Sequence, residues 1–211
     1  MTISAVIIVL REVLEAALLV SLLLSSAMAM GISRRGVAAG LVLGVFGAAL
    51  VTWQFDYISE SFEGVGQEVF NALLLAAMVL LLLAYSGYMA KRSARQKTGI
   101  SMPLVIACLV VAMAVTREGV EVFMFIYGFS AIPARLLSVL VGGAMGAGIG
   151  ISLGVLIFYA LISLPARPGA IITQTLFALI AAGMASQAVV YLMQGGLIES
   201  HMPLWDTTVS Y

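Results

Sequence analysis

The chain has 211 residues, of which 63% are hydrophobic and 9% charged, with a formal net charge of zero and a mean hydropathy of +1.15. A soluble domain has about 45–50% apolar and about 25% charged residues, so this composition points to an integral membrane protein and away from a soluble one. Zero net charge argues against a nucleic-acid partner, and the single Cys108 leaves no disulfide framework and no thiolate metal site.

A membrane-spanning helix needs roughly 20 mainly apolar residues. The first such stretch, about 3–30, carries Arg11, Glu12 and Glu15 inside it. Ala27-Met28-Ala29 imitates a signal-peptide cleavage site, but no basic segment precedes it and three charges interrupt the apolar run, so this helix is expected to be retained. The second stretch, about 36–57, has Gly36, Gly40 and Gly44 at helical spacing. An acidic connection with Asp56, Glu60 and Glu63 leads to the third, about 67–90, with Glu68 at its mouth. The fourth, about 102–128, contains Arg117, Glu118 and Glu121. The fifth, about 136–162, has Gly142, Gly146 and Gly150. The sixth, about 170–195, carries Gln187, Tyr191 and Gln194 at i, i+4 and i+7, a polar stripe that either lines a path or bonds across helices. A tail, 196–211, follows with Glu199, His201 and Asp206.

Lys and Arg fall unevenly between these spans. The first loop has Arg34 and Arg35, the third Lys91, Arg92, Arg95 and Lys97, and the fifth Arg167, against Arg135 alone in the even-numbered loops. Basic residues stay on the cytoplasmic side, so the N-terminus, the acidic second loop and the tail are expected outside.

Arg11 and Arg117 are 106 residues apart, and the same offset relates Gly36, Gly40 and Gly44 to Gly142, Gly146 and Gly150, and Tyr85 to Tyr191. This reads as an internal duplication. A repeat unit of three spans is odd, so the second copy enters the membrane from the opposite side, the inverted arrangement found in many secondary transporters. The expected fold is all-α and polytopic, with six transmembrane helices in two inverted three-helix repeats, 1–98 and 99–195, and an external tail, 196–211.

Both charged strings read R-E-x-x-E. Each charge near the bilayer centre costs roughly 2.5–3.5 kcal/mol, so six unpaired ones would cost on the order of 15–20 kcal/mol. Glu12 and Glu15 are i and i+3 and share a helix face, as do Glu118 and Glu121; Arg11 and Arg117 are each i, i+4 to the second glutamate of their own motif. If the two helices face each other, four carboxylates converge with two guanidinium groups, a net charge of minus two that suits a cation. Oxygen donors suit a hard ion. No His or Cys adjoins the motifs, which argues against zinc, copper or a di-iron oxidase site. Intrahelical bracing of the bundle accounts for one glutamate per arginine, but each motif has a second. Asp56, Glu60, Glu63 and Glu68 form either a collecting site for cations at the outer entrance or a solvated acidic loop.

With Leu10-Arg11-Glu12-Val13-Leu14-Glu15 and Thr116-Arg117-Glu118-Gly119-Val120-Glu121 in hand, the chain resembles the oxidase-dependent iron permeases, which carry R-E-G-L-E on their first and fourth helices. Glu60-x-x-Glu63, Gly66-Gln67-Glu68 and Trp205-Asp206-Thr207 are also similar to that family. The resemblance implies inward transport of ferric iron across the cell (inner) membrane, with Glu12, Glu15, Glu118 and Glu121 as iron ligands and Arg11 and Arg117 as their charge partners. It implies no enzymatic activity and no organic cofactor, with membrane lipid around the chain. The implied partner is a periplasmic or extracellular oxidase or an iron- or copper-binding protein, since the short loops look like the bacterial branch. Val13 stands where the motif usually has Gly, Val120 where it has Leu, and the family's seventh helix is not within these residues. The residues themselves leave three other readings open: a carrier of another cation such as manganese or lead, a non-transporting membrane subunit that docks an oxidase or electron-transfer partner, and a proton-coupled carrier of an organic solute.

Overall fold

A computed structural model describes residues 2–31, 33–94, 101–129 and 133–198. Among the described residues all regular structure is helical: α1 (Thr2–Ala29), α2 (Arg35–Trp53), α3 (Phe55–Gly64), α4 (Gly66–Ala94), α5 (Ser101–Gly128), α6 (Pro133–Ile162) and α7 (Ala166–Gln194). Five of these hold stretches long and apolar enough to cross a membrane: Arg35–Trp53, Gly66–Ala90, Met102–Gly128, Leu136–Ile162 and Arg167–Gln194. The 28 residues of α1 extend about 42 Å at 1.5 Å per residue, a spanning length interrupted by the charges of the first motif. The tail residues Glu199, His201, Trp205 and Asp206, and the loop residues Arg95 and Lys97, lie outside the described residues.

One expectation changes at the second connection. The second span does not run to residue 57. α2 stops at Trp53, the N–H of Gln54 still bonds to the carbonyl of Leu50, and the acidic stretch then forms α3 rather than a loop. Phe55, Ile58 and Phe62 are spaced i, i+3 and i+7, which gives this segment one apolar stripe among its acids. Gly64 ends α3 at φ +93°, and a Cβ on Gly66 would come 1.8 Å from the carbonyl oxygen of Ile58, so the tight corner into α4 requires glycine there.

The long helices pack as α1 on α6, α2 on α5 and α4 on α7, with α1 against α5 at the centre. Glycines bring the first two pairs together. A Cβ on Gly40 would meet the Cys108 carbonyl oxygen at 2.6 Å, and one on Gly146 would meet that of Val6 at 2.5 Å. Such close approach lets dispersion and interhelical hydrogen bonds replace the hydrophobic driving force that lipid does not supply. Ser21 donates to the carbonyl of Gly154 at 2.7 Å and Thr116 to that of Gly44 at 3.2 Å, each across a glycine-packed pair. Contacts rise together in residue number within α1·α6 and within α2·α5, so both pairs are parallel. In α4·α7, Tyr85 meets Phe177 while Glu68 meets Gly195, so that pair is antiparallel.

The register of the glycine pairs is informative. Gly44 faces the carbonyl of Ala112, and Gly146 faces that of Val6; Ala48 faces Gly119, and Gly150 faces Val13. The contact positions on α1 and α5, Val6 with Ala112 and Val13 with Gly119, are 106 apart, as the motifs are, while those on α2 and α6, Gly44 with Gly146 and Ala48 with Gly150, are 102 apart. Gly44 thus takes the place of Gly146 rather than of Gly150, one helical turn from the pairing a uniform offset gives.

The core is a layer of Leu19, Leu22, Leu75, Met78, Val110 and Phe177 where α1, α4, α5 and α7 meet. Tyr85 is buried in it, its hydroxyl 2.9 Å from that of Ser26 and its ring edge-on to Phe177 at 5.7 Å between centroids. The outer surface is apolar, with Val42, Phe46, Leu80, Leu156 and Ile171 exposed, as a lipid-facing surface must be.

Candidate metal centre

Glu12 and Glu15 sit in the half of α1 nearer its start, and Glu118 and Glu121 in the half of α5 nearer its end. The two helices run in opposite directions through the centre, so both motifs arrive at one depth: Arg117 of α5 is 3.7 Å from Glu15 of α1. Carboxylate oxygens of Glu12, Glu15 and Glu118 all lie within 4.8 Å of one another, close enough to hold one metal ion. Glu12 also faces Glu121.

The two arginines are placed differently. Arg117 is buried, its side chain 4% exposed, and it binds Glu118 and, at 3.3 Å, Glu121 as well as Glu15. Arg11 is 65% exposed and pairs only along its own helix, with Glu15 at 3.2 Å and Glu12 at 4.0 Å. Even with these pairs the cluster is under-satisfied. Oε2 of Glu12, Oε2 of Glu118 and Nε of Arg117 are buried without a hydrogen-bond partner. Buried acceptors without donors are costly, and a cation relieves that cost directly.

The surroundings of the two motifs exchange bulk at Val13 and Gly119. Val13 packs on Gly150, whose Cβ would come 2.9 Å from its side chain, whereas Gly119 in the second motif packs on Ala48 at 2.8 Å. Where one motif carries the larger residue, its neighbour carries glycine.

A cavity of about 320 Å³ reaches Arg117 and Glu121 from the end of the bundle where α1 begins. Tyr191, Gln67 and Asn71 line it, with Phe55 and Ile58 of α3 as part of its wall. Tyr191 of the polar stripe stands beside the Arg117 guanidinium. Gln187 and Gln194 are not in this lining; the Oε1 of Gln187 is buried without a partner and Gln194 is exposed. Sequence reasoning missed Gln67 and Asn71, whose signal was two amides one turn apart at the start of an otherwise apolar helix.

Of the four entrance acids, Asp56, Glu60 and Glu63 belong to α3, where Glu60 is exposed. Glu68 turns toward Gly195 at the end of α7 and has one buried oxygen without a partner. Next to the cluster, toward the other end of the bundle, comes the buried apolar layer of Leu19, Leu22 and Val110. Past it lies a second cavity of about 570 Å³, bordered by Ser25, Ser26, Met89, Thr173 and Gln174.

The chain matches the family described as "Iron permease FTR1 family" over residues 2–202. No curated protein and no solved structure matches it.

Proposed function

The chain belongs to the Iron permease FTR1 family, a family of multi-pass membrane transporters of iron, and from that membership we propose that it carries ferric iron inward through the glutamates of its two motifs. The observation that carries this reading is the meeting of Glu12, Glu15 and Glu118 within 4.8 Å at the crossing of two helices that are 106 residues apart in register. Oxygen donors and a surplus of negative charge suit a hard, highly charged ion. Glu121, reached from the cavity beside Tyr191, is the fourth ligand or the last handover point before the cluster.

In this reading the two halves, 1–98 and 99–195, are inverted repeats. The helix neighbours support it. Exchanging α1, α2 and α4 with α5, α6 and α7 turns α1·α6 into α5·α2, α4·α5 into α7·α1, and leaves α1·α5 and α4·α7 unchanged. The N-terminus, α3 and the tail 196–211 lie outside the cell membrane, and Asp56, Glu60, Glu63 and Glu68 gather iron at the mouth. The 320 Å³ cavity is then the outer approach, the Leu19–Leu22–Val110 layer the inner barrier, and the 570 Å³ cavity the release side. Rocking of one half against the other moves the barrier across the site. An external oxidase or iron-binding protein supplies the ferric ion.

The test is uptake of radiolabelled ferric citrate into proteoliposomes carrying the purified chain, with manganese and lead as competitors. Uptake that competes weakly with both and disappears in Glu118→Ala supports the reading. Uptake unchanged by Glu118→Ala removes the glutamate site, and stronger transport of manganese or lead removes ferric iron as the cargo.

A further inference from the structure

The two motifs are alike in sequence, yet their arginines are not alike in position. Arg117 is 4% exposed and lies among carboxylates from both helices, while Arg11 is 65% exposed and touches only its own helix. From this difference, and resting on the glutamate-site reading above, we infer that Arg117 is a tethered substitute for the cargo ion. It holds the glutamates together when no ion is bound, and gives way into the cavity lined by Gln67, Asn71 and Tyr191 when one arrives.

Three features carry this. First, the guanidinium occupies the ion's ligands. It binds Glu118 and lies 3.3 Å from Glu121 and 3.7 Å from Glu15. A metal ion bonded to the same oxygens takes their lone pairs and repels a second cation a few ångströms away. Second, the present pose is incomplete. Nε of Arg117 is buried without a hydrogen-bond partner, so the planar fork is not fully engaged among the carboxylates. Third, there is somewhere to go. The 320 Å³ cavity adjoins Arg117 itself, and its amides and phenol offer oxygen acceptors to a guanidinium that has only donors. Arg11, at the corresponding place in the first motif, pairs with Glu15 at 3.2 Å and Glu12 at 4.0 Å but reaches neither Glu118 nor Glu121 within ion-pair distance, and it is mostly exposed rather than enclosed among the carboxylates.

A substitute of this kind also sets selectivity. An arriving ion must attract the carboxylates more strongly than a guanidinium already in contact with them. A monovalent ion does not, and a small trivalent one does. Arg117 therefore acts as a specificity-determining residue, Gln67 and Asn71 as the groups that receive it, and Arg11 as a fixed counter-charge.

The experiment uses the purified full chain in lipid nanodiscs and terbium(III) as a hard trivalent probe, read by its tyrosine-sensitised luminescence. Loss of wild-type terbium binding on Glu118→Gln shows that the glutamate site itself holds; no binding by the wild type sinks that site and this inference with it. Given wild-type binding, Arg117→Gln is expected to tighten terbium by roughly tenfold or more, and to let sodium at about 100 mM compete, because one cation has left the cluster. Arg11→Gln is expected to tighten terbium clearly less than Arg117→Gln does, since Arg11 stands mostly outside the cluster and pairs with Glu12 and Glu15 alone. Equal or weaker binding by Arg117→Gln overturns the inference and leaves Arg117 a structural brace. A second measurement needs no substitution. Modification of Arg117 by phenylglyoxal, followed by peptide mass spectrometry, is expected to speed up when terbium binds to the wild-type chain; an unchanged or slower rate overturns the inference equally.

Discussion

Arg117 on α5 lies 3.7 Å from Glu15 on α1, an ion pair that joins the two motifs across the centre of the bundle. Glu15 also holds Arg11 at 3.2 Å, so its carboxylate meets both arginines. Glu15→Gln keeps the shape and removes the charge. Iron uptake at low external iron is expected to fall by roughly tenfold or more, the scale on which losing even a supporting group weakens a metal site. Uptake of radiolabelled iron by cells expressing each variant checks this, and wild-type rates at low iron would remove Glu15 from the site.

Glycine packing makes a sharper prediction about stability. Gly146→Val places a side chain where a Cβ is already 2.5 Å from the Val6 carbonyl oxygen. Overpacking of this kind costs about 1–3 kcal/mol, and the thermal unfolding midpoint in detergent is expected to drop. Gly87→Ala meets nothing within 4 Å and is expected to hold or slightly raise the midpoint, because alanine suits a helix interior better than glycine. Equal behaviour of the two variants would contradict the close contact of α1 with α6.

Val13 and Gly150 form a complementary pair, as Gly119 and Ala48 do with the bulk exchanged. Val13→Gly is expected to destabilise by roughly 2 kcal/mol through the space it leaves. Adding Gly150→Ala copies the Gly119–Ala48 arrangement and is expected to restore at least about half of the loss. Additive losses in the double variant would mean that the pair is not coupled.

Tyr85→Phe removes the hydroxyl that meets Ser26 at 2.9 Å while keeping the ring against Phe177. Interhelical hydrogen bonds in membranes contribute about 0.6 kcal/mol on average and up to about 1.7. A small fall in unfolding midpoint is expected, with the ring packing intact. A loss on the scale of a core truncation would assign the hydroxyl a larger part.

Orientation is open to direct labelling. Cys108 is the sole cysteine, so Cys108→Ala gives a clean background. In that background Glu60→Cys on α3 is expected to react with a membrane-impermeant maleimide on intact cells, and Arg34→Cys is expected to react only after permeabilisation. The reverse pattern would turn the chain over in the membrane and make the 320 Å³ cavity an exit.

The pattern of residues already contains much of the design. Long apolar runs give long helices because every backbone group in lipid must find its partner within its own helix. The charges at Arg11, Glu12, Glu15, Arg117, Glu118 and Glu121 are legible because they stand out against those runs. α3 was less legible: its acids suggest a loop, and only the Phe55, Ile58 and Phe62 spacing signals a helix. The glycine ladders misled by one turn. Glycines every fourth residue look the same after a shift of four, so only the contacts of Gly44 with Ala112 and Gly146 with Val6 set the register.

Sequence by itself determined that two charged motifs lie within apolar helices, since solvation in lipid depends on side-chain type and run length. Tertiary structure alone decided that α1 crosses α5 at the height of both motifs, that Gln67 and Asn71 share a cavity with Arg117 and Glu121, and that Arg117 is enclosed while Arg11 faces outward. Those outcomes depend on how whole helices rotate and slide against one another, and the charged residues of the two motifs, alike in type and spacing, carry no local mark of which arginine will be enclosed.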